Sequence, residues 1–390
     1  MKNLWCDEEA KKFKTDLDLR VYTSNLLGRS DELVLHGGGN TSVKTVINSE
    51  DILLVKGSGW DLVSIKAEGF APVKMDILLK MAKLEKLSDS DMVSGQKSAM
   101  IDKSAPNPSV EAILHAIIPF KVVDHTHADA VVTISNCENG IENIKKVFPD
   151  FLIVPYVMPG FILAKTINDM IQDLDWSKCD GIILHNHGIF TFDDDAKKSY
   201  DKMIDAVTLA EDFISENAKI DLMKSSKTIF DLTELQKIFS KEKGYEVFIK
   251  ENSSDLAFTY ASQENLQIFA TRGVLTPEHI IRTKRIPLII EDENIEKAIQ
   301  NYKIEYRKYF DRYAKNEICL NPTPNYIVVK DYGILSIGKN EKEANIINDI
   351  IEHTMMAVLR ADKLGGYRSI SEKDSFEMEY WELEQAKLKK

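Results

Sequence analysis

Two short apolar runs, KVVDHTH in residues 121–127 and GIILHNHGIFTF in residues 181–192, each carry two histidines one residue apart. The β-branched residues around the first, in VVDHTHADAVV (122–132), make that whole stretch read as a strand. Side chains two apart on a strand share a face, so His125 and His127 present two imidazoles side by side. The two pairs use half of the chain's eight histidines. Helical patterns separate such runs, at about 8–27 (ending at Gly28), 74–87, 107–118 and 195–217. NPSVEAILHAII (107–118) opens with Pro and Ser, as a helix N-terminus does. Strands alternating with helices imply an α/β layered domain.

With 390 residues the chain is long enough for two domains. The sequence weakens into polar, Lys-rich stretches over 218–245, which places a boundary near residue 240. Further helices are predicted at about 292–313 and 341–362. A net charge of −12 argues against nucleic-acid and anionic-membrane partners. The N-terminus lacks a secretory leader, no apolar run is long enough to span a membrane, and the four scattered cysteines form no CxxC pair. A reduced, cytoplasmic setting is expected.

The second half contains an echo of the first. DGIILHNHGIFTFDDDAKKSYDKMIDAV (180–207) aligns without gaps to NYIVVKDYGILSIGKNEKEANIINDIIE (325–352). Lys330 and Tyr332 then stand where His185 and His187 stand. A weaker match sets DHTH (124–127) against IRTK (281–284), with Arg282 and Lys284 in place of histidines. The pattern suggests a duplicated fold whose second copy has lost its ligands.

A catalytic zinc site wants three protein ligands and an open position. His125 and His127 supply two, and either His185 or His187 the third. Gly188 lets the backbone crowd such a site. GGGNTS (37–42) and KGSGW (56–60) are glycine- and hydroxyl-rich loops able to offer N–H and O–H groups to an oxyanion. Ser109 lies near a helix N-terminus, where the dipole favours negative charge, and Glu111 lies in its first turn.

GGGNTSVK, KGSG, PSVE, HTHADAV and NHGI follow one another in the order and spacing of the class II aldolase/adducin family, which residues 15–215 resemble. TRGVLTPEHIIRTKR (271–285) and FEMEYWELEQAKL (376–388) extend the resemblance to the aldolase half of bacterial fusions joining a rhamnulose-1-phosphate aldolase to an alcohol dehydrogenase. The dinucleotide-binding glycine fingerprint is absent, so only the aldolase half is expected. The resemblance implies a three-layer α/β/α domain with a central mixed, mainly antiparallel sheet (1–239), and a C-terminal α/β lobe, a degenerate aldolase-like copy (240–390).

By the same resemblance His125, His127 and His187 are the ligands of zinc or another divalent ion, and His185 stands beside the site or in the core. Glu111 is the acid/base. Asn40, Ser58, Gly59 and Ser109 contact the substrate phosphate. Val110 departs from the family, which often has a hydroxyl there, and no motif locates a tyrosine to protonate the aldehyde oxygen. The implied reaction is reversible cleavage of a ketose 1-phosphate, rhamnulose-1-phosphate-like, to dihydroxyacetone phosphate and an aldehyde such as lactaldehyde. Epimerase or decarboxylase chemistry at the same metal is the alternative, and a non-catalytic adducin-like module a third reading. A homo-oligomer, dimer or tetramer, and a separately encoded dehydrogenase complete the expectations.

Overall fold

Thr15 opens the first long helix, α1 (Asp16–Gly28), through a reciprocal capping box with Asp18. That cap separates α1 from a short helical turn at Asp7–Ala10, so the helix expected over 8–27 is two pieces. In this computed structural model the described residues are 1–225, 231–291 and 294–385. They fall into two units, Met1–Ser135 with Gly140–Ile214, and Asn136–Asn139 with Ser215–Lys390.

The first unit is built on seven strands: β1 (Asn40–Ile47), β2 (Glu50–Lys56), β3 (Phe70–Lys74), β4 (Val122–Thr126), β5 (Phe151–Val154), β6 (Gly181–Leu184) and β7 (Gly188–Asp193). Their order is β3-β2-β1-β4-β7-β6-β5. Only β5 and β6 run parallel; the other neighbours are antiparallel. The expected mixed, mainly antiparallel sheet is therefore present. Helices α2 (Met75–Ala82), α3 (Ala112–Ile117), α4 (Asp129–Ser135), α5 (Phe161–Met170) and α6 (Ala196–Asn217) connect or follow the strands.

Alternation along the strands separates two apolar layers. Leu53, Val55 and Val123 pack with Leu78 of α2, Ile113 of α3 and Leu163 of α5. Ile52, Leu54 and Val122 pack on the opposite face with Ala196 of α6 and, more exposed, Leu17 and Val21 of α1. Asp124 shares that second face. Its carboxylate meets the Arg20 guanidinium of α1 at 2.5 Å, both side chains fully buried, and accepts a 2.5 Å hydrogen bond from Ser199 Oγ of α6.

Three local expectations need correction. The stretch 122–132 is strand only to Thr126. The His127 and Asp129 amides donate to Leu33 and Glu32 carbonyls, which draws the chain off the sheet, and α4 takes up the β-branched residues. The run 181–192 is a hairpin, with Leu184 opposite Gly188 and Asn186 in the left-handed region at φ 59°. The helix expected from 107 begins at Ala112, because the Ser109 amide donates to Lys56 and Gly57 bridges Pro108, holding the segment along the end of β2.

The second unit carries β8 (Phe248–Asn252), α7 (Asp255–Ala261), β9 (Leu288–Ile290), α8 (Ile295–Tyr313), β10 (Tyr326–Val329), β11 (Gly333–Gly338), α9 (Glu341–Lys363) and α10 (Glu372–Glu379). Residues 239 and 240, where the sequence reading divides the chain, lie inside a continuous helix, Leu232–Lys243, capped by Asp231 and by left-handed Gly244. Residues 292 and 293 of one predicted helix, and 386–388 of the FEMEYWELEQAKL stretch, lie outside the described residues.

The sheet order β8-β11-β10-β9 repeats β4-β7-β6-β5, with the same antiparallel and parallel pairings. The starts of β6, β7 and α6 recur at identical spacing as those of β10, β11 and α9. Asn186 and Asp331 occupy the same turn position, at φ 59° and 55°. β4 and α4 likewise match β8 and α7: Val122 faces Asp193, and Phe248 faces Gly338. This register overturns the match of DHTH to IRTK. Glu251 and Ser253 stand where His125 and His127 stand, while Ile280–Thr283 is a short helix. The likeness to IRTK was one of residue type, without the strand pairing that defines equivalent places.

Each basic residue of that stretch has an acidic partner within its unit. Arg282 lies 3.8 Å from Glu343. Lys284 lies 3.8 Å from buried Glu379 and 3.8 Å over the Tyr306 ring, whose hydroxyl donates to Glu379. Tyr332 donates to Glu251. Among the described residues, no helix is long and apolar enough to cross a membrane.

Breaking one side of a buried ion pair leaves the other charge uncompensated, whereas replacing both sides does not. Arg20→Met is expected to cost about 3 kcal/mol or more in urea unfolding. The double variant Arg20→Met/Asp124→Leu should recover at least half of that loss.

Candidate metal centre and active site

β4 ends with His125 fully buried and His127, just past the strand, partly exposed. The turn between β6 and β7 adds His187, 5% exposed. One ring nitrogen from each lies within 4.8 Å of the others. His125 Nε2 is 3.0 Å from His127 Nε2. His125 Nδ1 donates to the Ile189 carbonyl at 3.0 Å, which puts the proton there and leaves the Nε2 lone pair facing its neighbours. Three imidazoles converging in a largely buried place fit a divalent ion of the borderline-soft kind. The turn settles which histidine joins the group. With Asn186 left-handed, the His187 amide closes on Leu184 and its ring faces β4, while His185 falls outside the cluster. Burial pushes the His185 pKa below its usual value.

Gly188 makes this convergence sterically feasible. A Cβ there would lie 2.4 Å from the Thr126 carbonyl oxygen, 2.9 Å from His125 Cε1 and 3.1 Å from His127 Cδ2. Gly39, at φ 61°, lies as close on the other side of β4: its Cβ would meet the His125 carbonyl oxygen at 2.7 Å.

Glu111 stands at the N-cap of α3, one residue before the first turn where the sequence placed it. It is 6% exposed. Its Oε2 is 3.6 Å from His125 Nε2 and its Oε1 is 3.9 Å from His187 Nε2. Asn40, at the start of β1 and opposite His125, donates to Oε2 at 2.5 Å. Oε1 receives no hydrogen bond. A carboxylate is thus held beside the three imidazoles with one oxygen engaged and the other open, the arrangement a proton carrier needs.

The two glycine loops and the Ser109 segment also meet. The Ser58 amide donates to Asn107, and the Ser109 amide to Lys56. Ser109 Oγ accepts from the Glu111 amide at 3.2 Å. Gly59 has φ 91° and is exposed. Val110 turns its side chain against the core, so no hydroxyl is offered there. Sequence reasoning passed over Lys56, which is 4% exposed and donates to the Gly37 carbonyl at 2.9 Å, joining one glycine loop to the other. A lysine closing the apolar strand ILLVK was the available signal. It also passed over His115, whose spacing of four from Glu111 puts both on one side of α3.

With this geometry, the family follows. The Class II Aldolase and Adducin N-terminal domain profile matches residues 19–214, and the Aldolase class II, second domain profile matches residues 229–388. The chain belongs to the class II aldolase/adducin family. It is similar to the N-terminal class II aldolase domain of a conserved protein from Thermoplasma acidophilum, at 41% identity and a TM-score of 0.51, over 55% of this chain and 99% of that one. It is also similar to an L-fuculose-1-phosphate aldolase from Thermus thermophilus, at 14% identity and a TM-score of 0.34, over 51% and 95% of the two chains. The curated relative, "Uncharacterized oxidoreductase YuxG" of Bacillus subtilis, is 28% identical over all of this chain. The chain spans 60% of that relative's length.

Three histidines occur together only in the first unit among the described residues. Zinc loading followed by elemental analysis should give one ion per chain, and His187→Ala should lose it. Gly188→Ala keeps all three imidazoles, yet should weaken zinc binding at least about tenfold by displacing His125 and His127. Two ions per chain, or a Gly188→Ala variant with unchanged affinity, would contradict this account.

Proposed function

We propose that the chain is a divalent-metal-dependent aldehyde-lyase that reversibly cleaves a ketose 1-phosphate to dihydroxyacetone phosphate and an aldehyde. The observation that carries this reading is the Glu111 carboxylate within 4 Å of two of the three clustered imidazoles. His125, His127 and His187 would hold the ion, zinc being the choice that suits three imidazoles. When bound, it supplies Lewis-acid stabilisation of negative charge on a substrate carbonyl oxygen. Glu111 takes a proton from the hydroxymethyl carbon of dihydroxyacetone phosphate in the synthetic direction and returns it in cleavage. No Schiff-base lysine is required for that transfer.

Asn40, Ser58, Gly59 and Ser109 are proposed to hold the phosphate. The Gly59 backbone is turned left-handed, and Ser58 and Ser109 are partly exposed on adjacent segments. Fixing the non-reacting end orients the carbon that gives up its proton, which is worth several kcal/mol of barrier in favourable cases. Asn40 adds a second duty, because its amide already donates to Glu111. A rhamnulose-1-phosphate-like substrate, with lactaldehyde as the released aldehyde, rests on the likeness of the C-terminal stretches to the fusion proteins.

The second unit is proposed to be a degenerate copy without a metal of its own. Glu251, Ser253 and Tyr332 take the three ligand places, and the Tyr332 hydroxyl donates to Glu251. The protein is proposed to be cytoplasmic and to assemble as a dimer or tetramer of such two-unit chains, working with a dehydrogenase on another chain.

The deciding measurement needs no knowledge of the aldehyde. Zinc-loaded protein is incubated with dihydroxyacetone phosphate in D2O, and loss of the hydroxymethyl proton signal is followed by NMR. Exchange is expected in the wild type and should fall by at least about a hundredfold in Glu111→Ala. Absence of exchange with zinc bound would exclude this lyase reading and favour an epimerase or decarboxylase on another substrate.

A further inference from the structure

A closed chain of hydrogen bonds runs behind Glu111. Ser42 Oγ lies 2.8 Å from His115 Nδ1, His115 Nε2 meets Asn40 Oδ1, and Asn40 Nδ2 donates to Glu111 Oε2. All four side chains are buried, His115 fully. Two repeats make the chain possible. Asn40 and Ser42 are two apart on β1 and so share a face. Glu111 and His115 are four apart through α3 and so share a side. One imidazole then spans both residues of the strand and reaches back, through Asn40, to the carboxylate on its own helix.

The direction of every bond is fixed from the carboxylate end. A carboxylate oxygen accepts and does not donate, so Asn40 must turn its NH2 to Glu111 and its carbonyl oxygen to His115. An amide oxygen also only accepts. His115 must therefore carry its proton on Nε2, and its bare Nδ1 takes the hydrogen of the Ser42 hydroxyl. Burial, with the positive field of neighbouring groups, holds the His115 pKa well below its usual value, in keeping with a single ring proton.

We propose that His115 is the positioning residue for Glu111, acting through Asn40: its Nε2 proton holds the Asn40 amide in the one orientation that donates to Glu111 Oε2. Oε2 is thereby engaged, and Oε1, which receives no hydrogen bond, is the oxygen that takes the substrate proton. The inference rests on Glu111 being the proton carrier. It goes beyond that reading in naming which oxygen acts and what fixes it.

The test has two arms. Nitrogen-15 histidine NMR of the wild-type chain reads the tautomer directly, whatever the reaction. A neutral His115 ring protonated at Nε2 is expected; a proton on Nδ1, or a charged ring, overturns the proposal. In the second arm, His115→Met removes the donor and His115→Gln keeps an N–H for Asn40. Met is expected to slow proton exchange from dihydroxyacetone phosphate by about tenfold or more at saturating substrate, with zinc content unchanged. Gln should restore most of the rate. Wild-type exchange in the Met variant, or equal losses in Met and Gln, overturns the proposal. Should Met fail to fold, the tautomer and the Gln variant still decide. Should the wild type show no exchange at all, the lyase reading fails, and the tautomer alone judges the hydrogen-bond chain.

Discussion

The buried ion pair between Arg20 and Asp124 constrains everything built on β4. A slip of one residue in a strand exchanges its faces. Here it would turn Asp124 toward Glu111 and set an imidazole against a buried guanidinium. Both results leave charge buried without a partner, at a cost of several kcal/mol. The pair therefore selects the register in which Asn40 and Phe190 flank His125. Once that register holds, Asn40 lies within reach of Glu111, and Gly39 and Gly188 sit where only a hydrogen fits. An interaction on the far face of the sheet thus sets the geometry of the near one.

The parts of this arrangement legible in the sequence were those fixed by short spacing. The two histidine pairs, the glycine after His187 and the alternation of strand and helix all depend on neighbours a few residues apart. The family resemblance pointed to His187 rather than His185, but the physical ground for that choice is the backbone of Asn186, and a left-handed asparagine leaves no mark in apolar periodicity. The start of α3 at Ala112 was hidden for a related reason. Pro108 and Ser109 carry the local signals of a helix start, but the end of β2 claims their backbone first. His115 could be placed on the side of Glu111 by counting. Its connection through Asn40 could not, since β1 lies some seventy residues upstream.

The repeat shows where sequence likeness misleads. The hairpin and helix of the second copy aligned because β6, β7 and the start of α6 keep their spacing, together with the glycine that the close approach of the neighbouring strand's carbonyl requires. β4 and its copy share lengths as well, Val122–Thr126 against Phe248–Asn252, but no residue type that invites comparison. Only pairing with β11 reveals the correspondence. The strand that bears His125, with His127 just beyond it, in one unit bears Glu251 near its end in the other, where that carboxylate accepts a hydrogen bond from Tyr332.

That hydrogen bond occupies two of the three corresponding places, and three histidines there would not by themselves reproduce the surroundings of the first unit's cluster. The first unit's sheet extends past β4 into β1, β2 and β3, and this extension brings Asn40, Ser42 and the glycine loops to the metal side. The described sheet of the second unit ends at β8, the copy of β4. Positions 251, 253 and 332, the counterparts of the three histidines, therefore have no counterpart of β1 beside them in that described sheet. The places of the three imidazoles thus lie on or beside strands that both units share, whereas Asn40 on β1 and Glu111 at the N-cap of α3 belong to the part of the first unit that precedes β4.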